Sequence, residues 1–311
     1  MINYIRHNQI DKIRWDDCIS RSVNRKVYAF SWYLDLVCPG WDALVANDYS
    51  SVFPLTHHRK WAISYLAQPY FAQQLGIFSP DEISEKQVAG FIQAIPDRFK
   101  FVEIHLNSMN RYTGREESAT TRINYELDLA SDYQVLAGKY SQNVKRNLRK
   151  SAESELTLNR STTVDDLIGL FRENFGEREG KLQACHYETL RKLMHYCMEH
   201  NQGYILSSNA NNGVLSAAAF FLFDQARVYY LFAASGSGAR ENGAMFLLID
   251  RFIYGHAGKP LILDFEGGND QNLGRFYKSF GAMQVLYPVL RLNRLSKLEE
   301  GGLYFMRKLR K

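Results

Sequence analysis

The chain reads as an α/β protein with mixed sheets, arranged as two related halves, and three observations carry that expectation. The order helix, three strands, helix, strand runs twice along the 311 residues. The run Ile123–Leu129 alternates strictly, with Tyr125, Leu127 and Leu129 set against Asn124, Glu126 and Asp128. That is the period-2 pattern of a half-buried strand. The segment Gly243–Ala257 is so apolar (Met245, Phe246, Leu247, Leu248, Ile249, Phe252, Ile253) that it reads as a largely buried helix.

In the first half a helix is expected over Arg25–Val37, closed by Cys38-Pro39-Gly40. Strand-like runs follow at Trp41–Ala46, Ser51–Thr56 and Trp61–Ala67. The breaks between them, Asn47-Asp48 and His57–Lys60, read as hairpin turns. A helix from Asp81 or Ser84 to Ile95 then leads to a strand at Phe101–Leu106. In the second half Thr162 or Thr163 caps a helix to Asn174, with Asp165 and Asp166 in its favourable first turn. A helix over Tyr187–Glu199 precedes strands at Tyr204–Ser208, Val214–Phe223 and Val228–Ala234. After the buried helix come a strand at Leu261–Phe265, a short helix at Leu273–Phe280 and a last strand at Val285–Leu292. Ala130–Ala152 reads as a connector helix, so the boundary is set at 1–130 and 131–311. Topology repeats but residues do not.

Composition narrows the function classes. Hydrophobic residues make up 46% and charged residues 23%, values typical of soluble globular chains. The first residues are polar and lack a secretory h-region. No run approaches the ~18 apolar residues that span a bilayer. Four scattered cysteines (Cys18, Cys38, Cys185, Cys197) make no disulfide framework, so a reducing cytoplasm is expected. The net charge of +5 suits anionic ligands without requiring nucleic acid. No metal is expected: His57-His58 sits in an expected turn, and His195 and Cys197 lie two apart on a helix, off a common face.

Two segments could carry chemistry. Ala233–Ala244 joins a strand to the buried helix and is rich in Gly and Ser. Helix N-termini bear about half a positive charge, so the amides of Arg240, Glu241, Asn242, Gly243 and Ala244 could cradle a pyrophosphate. An ordinary Gly-rich turn accounts for the same residues, and neither the dinucleotide fingerprint nor a P-loop is present. The second segment is Asp264-Phe265-Glu266-Gly267-Gly268 with Arg275–Gly281 behind it. Ligands of open α/β sheets collect at such strand ends. Glu266 could act as base, Tyr277 could protonate a leaving group, and Lys278 could neutralise developing charge. Solvated carboxylates, a packing Tyr and a surface Lys are the bland alternatives.

Here the residues resemble a known family. Arg240-Glu241-Asn242-Gly243-Ala244-Met245 resembles the R/Q-x-x-G-x-G/A turn of GNAT acyltransferases, with Met245 at the last position. Phe276-Tyr277-Lys278-Ser279-Phe280-Gly281 resembles their F-Y-x-x-x-G run. The tandem plan, the segment Tyr140–Lys150 and the Asp264–Gly268 motif are similar to the double-GNAT group of Fem-type peptidyltransferases and their acyl-CoA-using relatives, strongest from about 120 to 292. The resemblance implies two tandem GNAT-like domains, 1–130 degenerate and 131–311 carrying the cofactor site. It implies Tyr277 as general acid and Lys278 as the supporting Lys of Fem enzymes.

The basic stretch Lys145, Arg146, Arg149, Lys150 pairs at i,i+4 on a helix docked through Tyr140, Val144 and Leu148. It is either a solvated face or a contact for a phosphate-rich ligand, with Lys145, Arg149 and Asp264 as candidate substrate contacts. The basic tail Arg307–Lys311 reads as mobile. The expected activity is N-acyl transfer from acyl-CoA to an amine of a small molecule or cell-envelope precursor. The alternatives are a Fem-like enzyme using aminoacyl-tRNA on a cell-wall precursor, and a catalytically silent binding protein. A long helical arm for tRNA is not expected, for want of heptads. Trp32, Tyr65 and Tyr70 in the first half could line an acceptor site or pack in the core.

Overall fold

The computed structural model describes residues 1–60, 63–112, 120–176 and 182–295, which fall into two compact units. One comprises Met1–Arg122 with the described residues from Leu286 on, and the other is Ile123–Val285.

The first unit opens with β1 (Ile2–Ile5), α1 (Lys12–Arg21), α2 (Ser31–Val37), β2 (Asp42–Ala46) and β3 (Ser51–Leu55). β1, β2 and β3 form an antiparallel sheet with β2 in the centre. The helix expected from Arg25 starts later, because Phe30 is extended (ψ 144°) between a 3-10 turn at Val27–Ala29 and α2. Asp16 holds that break by accepting the Ser31 amide and hydroxyl at 2.7 and 2.6 Å.

Next come β4 (His57–Lys60), β5 (Ile63–Ala67), α3 (Glu85–Gln93) and β6 (Phe99–His105). The run His57–Lys60, expected as a turn, is a strand paired with β5, Lys60 opposite Ile63. It contains no Gly, Pro, Asn or Asp to bend the chain. The expected single meander is therefore split between two sheets. Trp61 and Ala62, the start of the expected strand Trp61–Ala67, lie outside the described residues. α3 begins at a Ser84/Gln87 capping box and carries the chain across to β6, which runs parallel to β5.

Asp42 ties this unit together. It is 5% exposed and accepts from the Tyr4 hydroxyl, the His7 amide and the Arg98 guanidinium, with His57 Nε2 at 3.0 Å. Burial pushes its carboxyl up, but the bonds from His57, Tyr4 and the His7 amide outweigh it and hold it at about 2.

β7 (Thr120–Asp128) enters the second unit, followed by α4 (Tyr133–Gly138), α5 (Gln142–Glu153), β8 (Thr157–Asn159), α6 (Val164–Phe171) and α7 (Ala184–Glu199). Then come β9 (Gly203–Asn209), β10 (Leu215–Asp224), β11 (Arg227–Ser235), α8 (Ala239–Asn242) and α9 (Ala244–His256). β12 (Ile262–Asp264), α10 (Gln271–Lys278) and β13 (Met283–Asn293) complete the described chain. Within this unit the strand order is β7-β12-β11-β10-β9-β8, antiparallel except for the parallel pair β11/β12. A parallel pair needs a crossover, and α9 supplies it, burying Leu248, Ile249, Phe252 and Ile253. Phe252 stacks on Phe221 of β10 at 3.8 Å between centroids. The expected connector helix is two helices, because Ser141 breaks the run and caps α5 through the Val144 amide. The far end of β13 pairs with β6 in the first unit, Val289 opposite His105.

No helix among the described residues is long and apolar enough to cross a membrane. The tail Arg307–Lys311 lies outside the described residues.

Candidate functional site

The turn from β11 into α9 is closed on itself. The Glu241 and Asn242 amides donate to the Gly238 carbonyl at 3.0 and 3.2 Å, and the Ala244 amide donates to Asn242 Oδ1 at 3.0 Å. Three of the five amides expected to hold a pyrophosphate are thus engaged within the turn. Gly243 takes φ +71° between α8 and α9. A methyl group on it would lie 2.3 Å from the Asn147 carbonyl oxygen of α5. This glycine serves the close approach of α5 to the turn. The Arg240 side chain lies outside the described residues. Met245, at the departure from the family pattern, accepts at its sulfur from the buried Tyr230 hydroxyl at 3.0 Å.

The other candidate segment lies where β12 ends and α10 begins. Asp264 is fully buried. Its Oδ1 accepts from Asn124 Nδ2 at 2.8 Å and from the Glu266 amide at 3.0 Å, and its Oδ2 accepts from Arg227 at 3.0 Å. Arg227 also pairs with Glu126 at 2.8 Å. Burial pulls the Arg227 guanidinium down, yet the Asp264 and Glu126 carboxylates more than offset it, so its pKa rises. Asn124 Oδ1 in turn accepts the Gly267 amide at 3.1 Å. Two consecutive amides, of Glu266 and Gly267, are therefore pinned by one buried polar network.

Glu266 is held there at φ +53°, the left-handed region a residue with a side chain seldom adopts. Such conformations persist where the surroundings over-determine them, often at functional sites. Tyr277 stacks on Phe265 at 4.6 Å, with Tyr230 edge-on at 6.2 Å and Tyr125 at 6.4 Å. A methyl on Gly268 would lie 2.7 Å from the Tyr125 ring, so glycine there lets the loop lie against it. Burial pushes the Tyr277 hydroxyl above its ordinary 10.0, and the Glu266 and Asp270 carboxylates push the same way. Among the described residues the Tyr277 hydroxyl meets no hydrogen-bond partner.

Lys278 is exposed in the last turn of α10. Lys145 is half-buried and Arg149 exposed, on the side of α5 away from its buried Val144, Asn147 and Ser151. Glu266 and Tyr277 are brought together; Lys145 and Arg149 belong to the helix packed on the α8–α9 turn. Among the described residues no group of three His, Cys, Asp or Glu could hold a metal.

Sequence reasoning missed Asn124, Glu126 and Arg227. Asn124 and Glu126 read as the polar side of an alternating strand, and only the pairing of Glu126 opposite Asp264 turns that side into a buried network.

No protein-family model and no curated protein matches this sequence. Solved structures do. FemX superposes with a TM-score of 0.63 at 11% identity, covering 92% of this chain and 96% of that one. A conserved protein of unknown function from Bacteroides thetaiotaomicron VPI-5482 gives 0.56 at 10%, covering 94% and 99%. L-PGS from Bacillus licheniformis gives 0.51 at 9%, covering 86% and 88%. At these identities the likeness is one of fold, and the fold is the FemAB-like tandem GNAT fold that the sequence motifs imply.

Proposed function

We propose that this protein is an acyl-group transferase that joins an activated acyl or aminoacyl group to an amine. The observation that carries the reading is the pinned, left-handed Glu266 beside the buried Tyr277. Attack needs a neutral amine, and Glu266, directly or through a water it orders, takes the proton. The nitrogen lone pair forms the new bond to the acyl carbon. Collapse of the tetrahedral intermediate breaks the bond to the carrier, Tyr277 gives its proton to the departing atom, and the proton shed by the new amide nitrogen restores the phenol. Lys278 offsets the negative charge that develops. Asp264, with Asn124 and Arg227, anchors the loop that carries Glu266.

Two carriers fit this chemistry. Acyl-CoA would place its pyrophosphate at the α8–α9 turn, with Arg240, Gly243 and neighbouring amides as contacts. Aminoacyl-tRNA would use the basic side of α5 and Lys278. Two observations favour the second. Three amides of the turn are already engaged, while α5, with four cations from Lys145 to Lys150, packs against that turn. A phenol held above 10.0 is also a poor proton source for a thiolate, whose conjugate acid lies near about 8.5. That transfer costs at least about 2 kcal/mol, and the far more basic alkoxide of a ribosyl ester is the better acceptor of a phenol's proton. The acceptor amine would belong to a small molecule or a cell-envelope precursor.

Turnover with acetyl-CoA, palmitoyl-CoA and alanyl-tRNA, each with a panel of amines, tests the reading. With the active donor, Tyr277→Phe should lower kcat by about 10²–10⁴ with little change in KM, and Glu266→Gln should do likewise. Full turnover in both variants would mean that the chemistry lies elsewhere, and turnover with none of the donors would leave a protein that binds without catalysing.

A further inference from the structure

A cleft of about 530 Å³ opens on the second unit among α6, the loop that follows β8 and the hairpin joining β9 to β10. Part of its lining is polar and fixed. Thr162 Oγ1 lies 2.6 Å from the Oγ of fully buried Ser207, which donates to Asn159 Oδ1 at 2.8 Å. Asn159 Nδ2 in turn donates to Asn209 Oδ1 at 3.1 Å. The rest is one face of α6 and the turn after it, where Asp165, Asp166, Gly169 and Glu173 recur at helical spacing. Among the described residues no Lys, Arg or His lines the cleft. Asp165 is answered from outside it by Arg191 of α7 at 2.8 Å, and Asp166 by the Thr163 amide and hydroxyl of the helix cap. The Glu173 carboxylate meets no ion pair or hydrogen bond among the described residues. Gly169 is unexplained by the fold. Its φ is not left-handed, and a methyl on it would meet nothing within 4 Å. Neither backbone nor packing calls for glycine there, although glycine weakens a helix interior. Glu173 stands on a single π-helical turn, Arg172–Gly176, a device that recurs at functional sites.

We infer that this cleft binds an elongated organic cation, a di- or polyamine with an ammonium group at each end. Carboxylates hold ammonium groups through charge-assisted N–H bonds. Asp165 and Glu173 stand about 10–12 Å apart along the helix, and no three acidic groups converge on one point as a metal would require. Charges spaced along a flexible chain suit such a span. Gly169, midway between them, leaves the helix backbone open to the chain, and Leu170, Val214 and Leu215 offer apolar surface to its methylenes. An ammonium held by carboxylates stays protonated and has no lone pair to attack with. The cleft therefore anchors its ligand without activating it, and the inference stands whether or not the transferase reading does.

The test is isothermal calorimetry of the full chain with spermidine, putrescine and butylamine at constant ionic strength. Saturable binding of spermidine, one per chain, is expected, with butylamine at least about fivefold weaker because it fills one end only. Glu173→Gln should weaken spermidine about fivefold. Gly169→Leu should abolish binding by filling the cleft, yet melt at the parent's temperature or above, since leucine favours a helix over glycine and has room there. Glu199→Gln, at the end of α7 and outside the cleft, should leave binding unchanged. If Gly169→Leu does not fold, Glu173→Gln, on an exposed residue, decides alone. The inference is overturned by absence of saturable binding with both spermidine and putrescine, or by butylamine binding as tightly as they do. It is equally overturned if a folded Gly169→Leu keeps the parent's affinity, or if Glu173→Gln weakens binding no more than Glu199→Gln.

Discussion

Asp42 is the residue on which the first unit's acid stability turns. Its carboxyl sits at about 2 when folded, against an ordinary 3.8. A folded pKa below the unfolded one means stability that is fully present above pH 3.8 and is lost as pH falls through 2. The contribution is about 2 kcal/mol. Melting temperatures of the parent and of Asp42→Asn should therefore differ clearly at pH 6 and converge between pH 4 and pH 2. A constant difference across that window would mean that the loss in the variant comes from geometry and not from charge. Tyr277 belongs to the same scale. Its place in a helix and its F-Y-x-x-x-G setting are legible in the sequence, but its stacking on Phe265 is visible only once β12 and α10 are folded together. The roles of Asn124 and Arg227 were not legible at all. Both depend on cross-strand register, which a single sequence does not encode locally.

At the scale of elements, most helices and strands could be read because caps, breakers and periodicity act over a few residues. Ser84 and Thr163 both open helices as capping boxes, and the alternation over Ile123–Leu129 is a strand with Tyr125, Leu127 and Leu129 buried. The short strands β1 and β8 escaped, since four and three residues carry little periodic signal; α1 escaped although Asp11 caps it and its buried Trp15, Cys18 and Ile19 share a face. The Gly-rich turn shows the limit of motif reading. Gly243 matches a cofactor pattern, yet its freedom from a side chain is already required by Asn147. Gly243→Ala should destabilise the protein by about 3 kcal/mol, from left-handed strain plus the clash. Gly238→Ala, with nothing within 4 Å, should stay within about 0.5 kcal/mol of the parent in urea denaturation. Equal stability of the two variants would contradict the packing role of Gly243, and would restore it as a probe of ligand binding.

At the scale of the whole molecule, the tandem α/β plan was legible because each half crosses over through a helix. β5–α3–β6 and β11–α9–β12 both give parallel pairs. The division of the first half's strands between two sheets was not legible, because it hangs on the four polar residues His57–Lys60. FemX shares this fold over nearly the entire chain at 11% identity, so topology persists where residue identity has gone. Under the proposed transferase reading the donor has to be sought in the site itself, since a likeness of fold at that identity does not carry one.

The measurement that bears most directly on acyl transfer is equilibrium binding of the two carriers to the purified full chain. Isothermal calorimetry with acetyl-CoA and with a non-hydrolysable amide-linked alanyl-tRNA would provide it, each repeated on a Lys145→Glu, Arg149→Glu double variant. Micromolar binding of the tRNA analogue is expected, weakened at least about tenfold by the charge reversals and by added salt, with acetyl-CoA binding weaker or absent. Tight acetyl-CoA binding that ignores the reversals would return the carrier to CoA. Binding of neither would contradict the transferase reading itself.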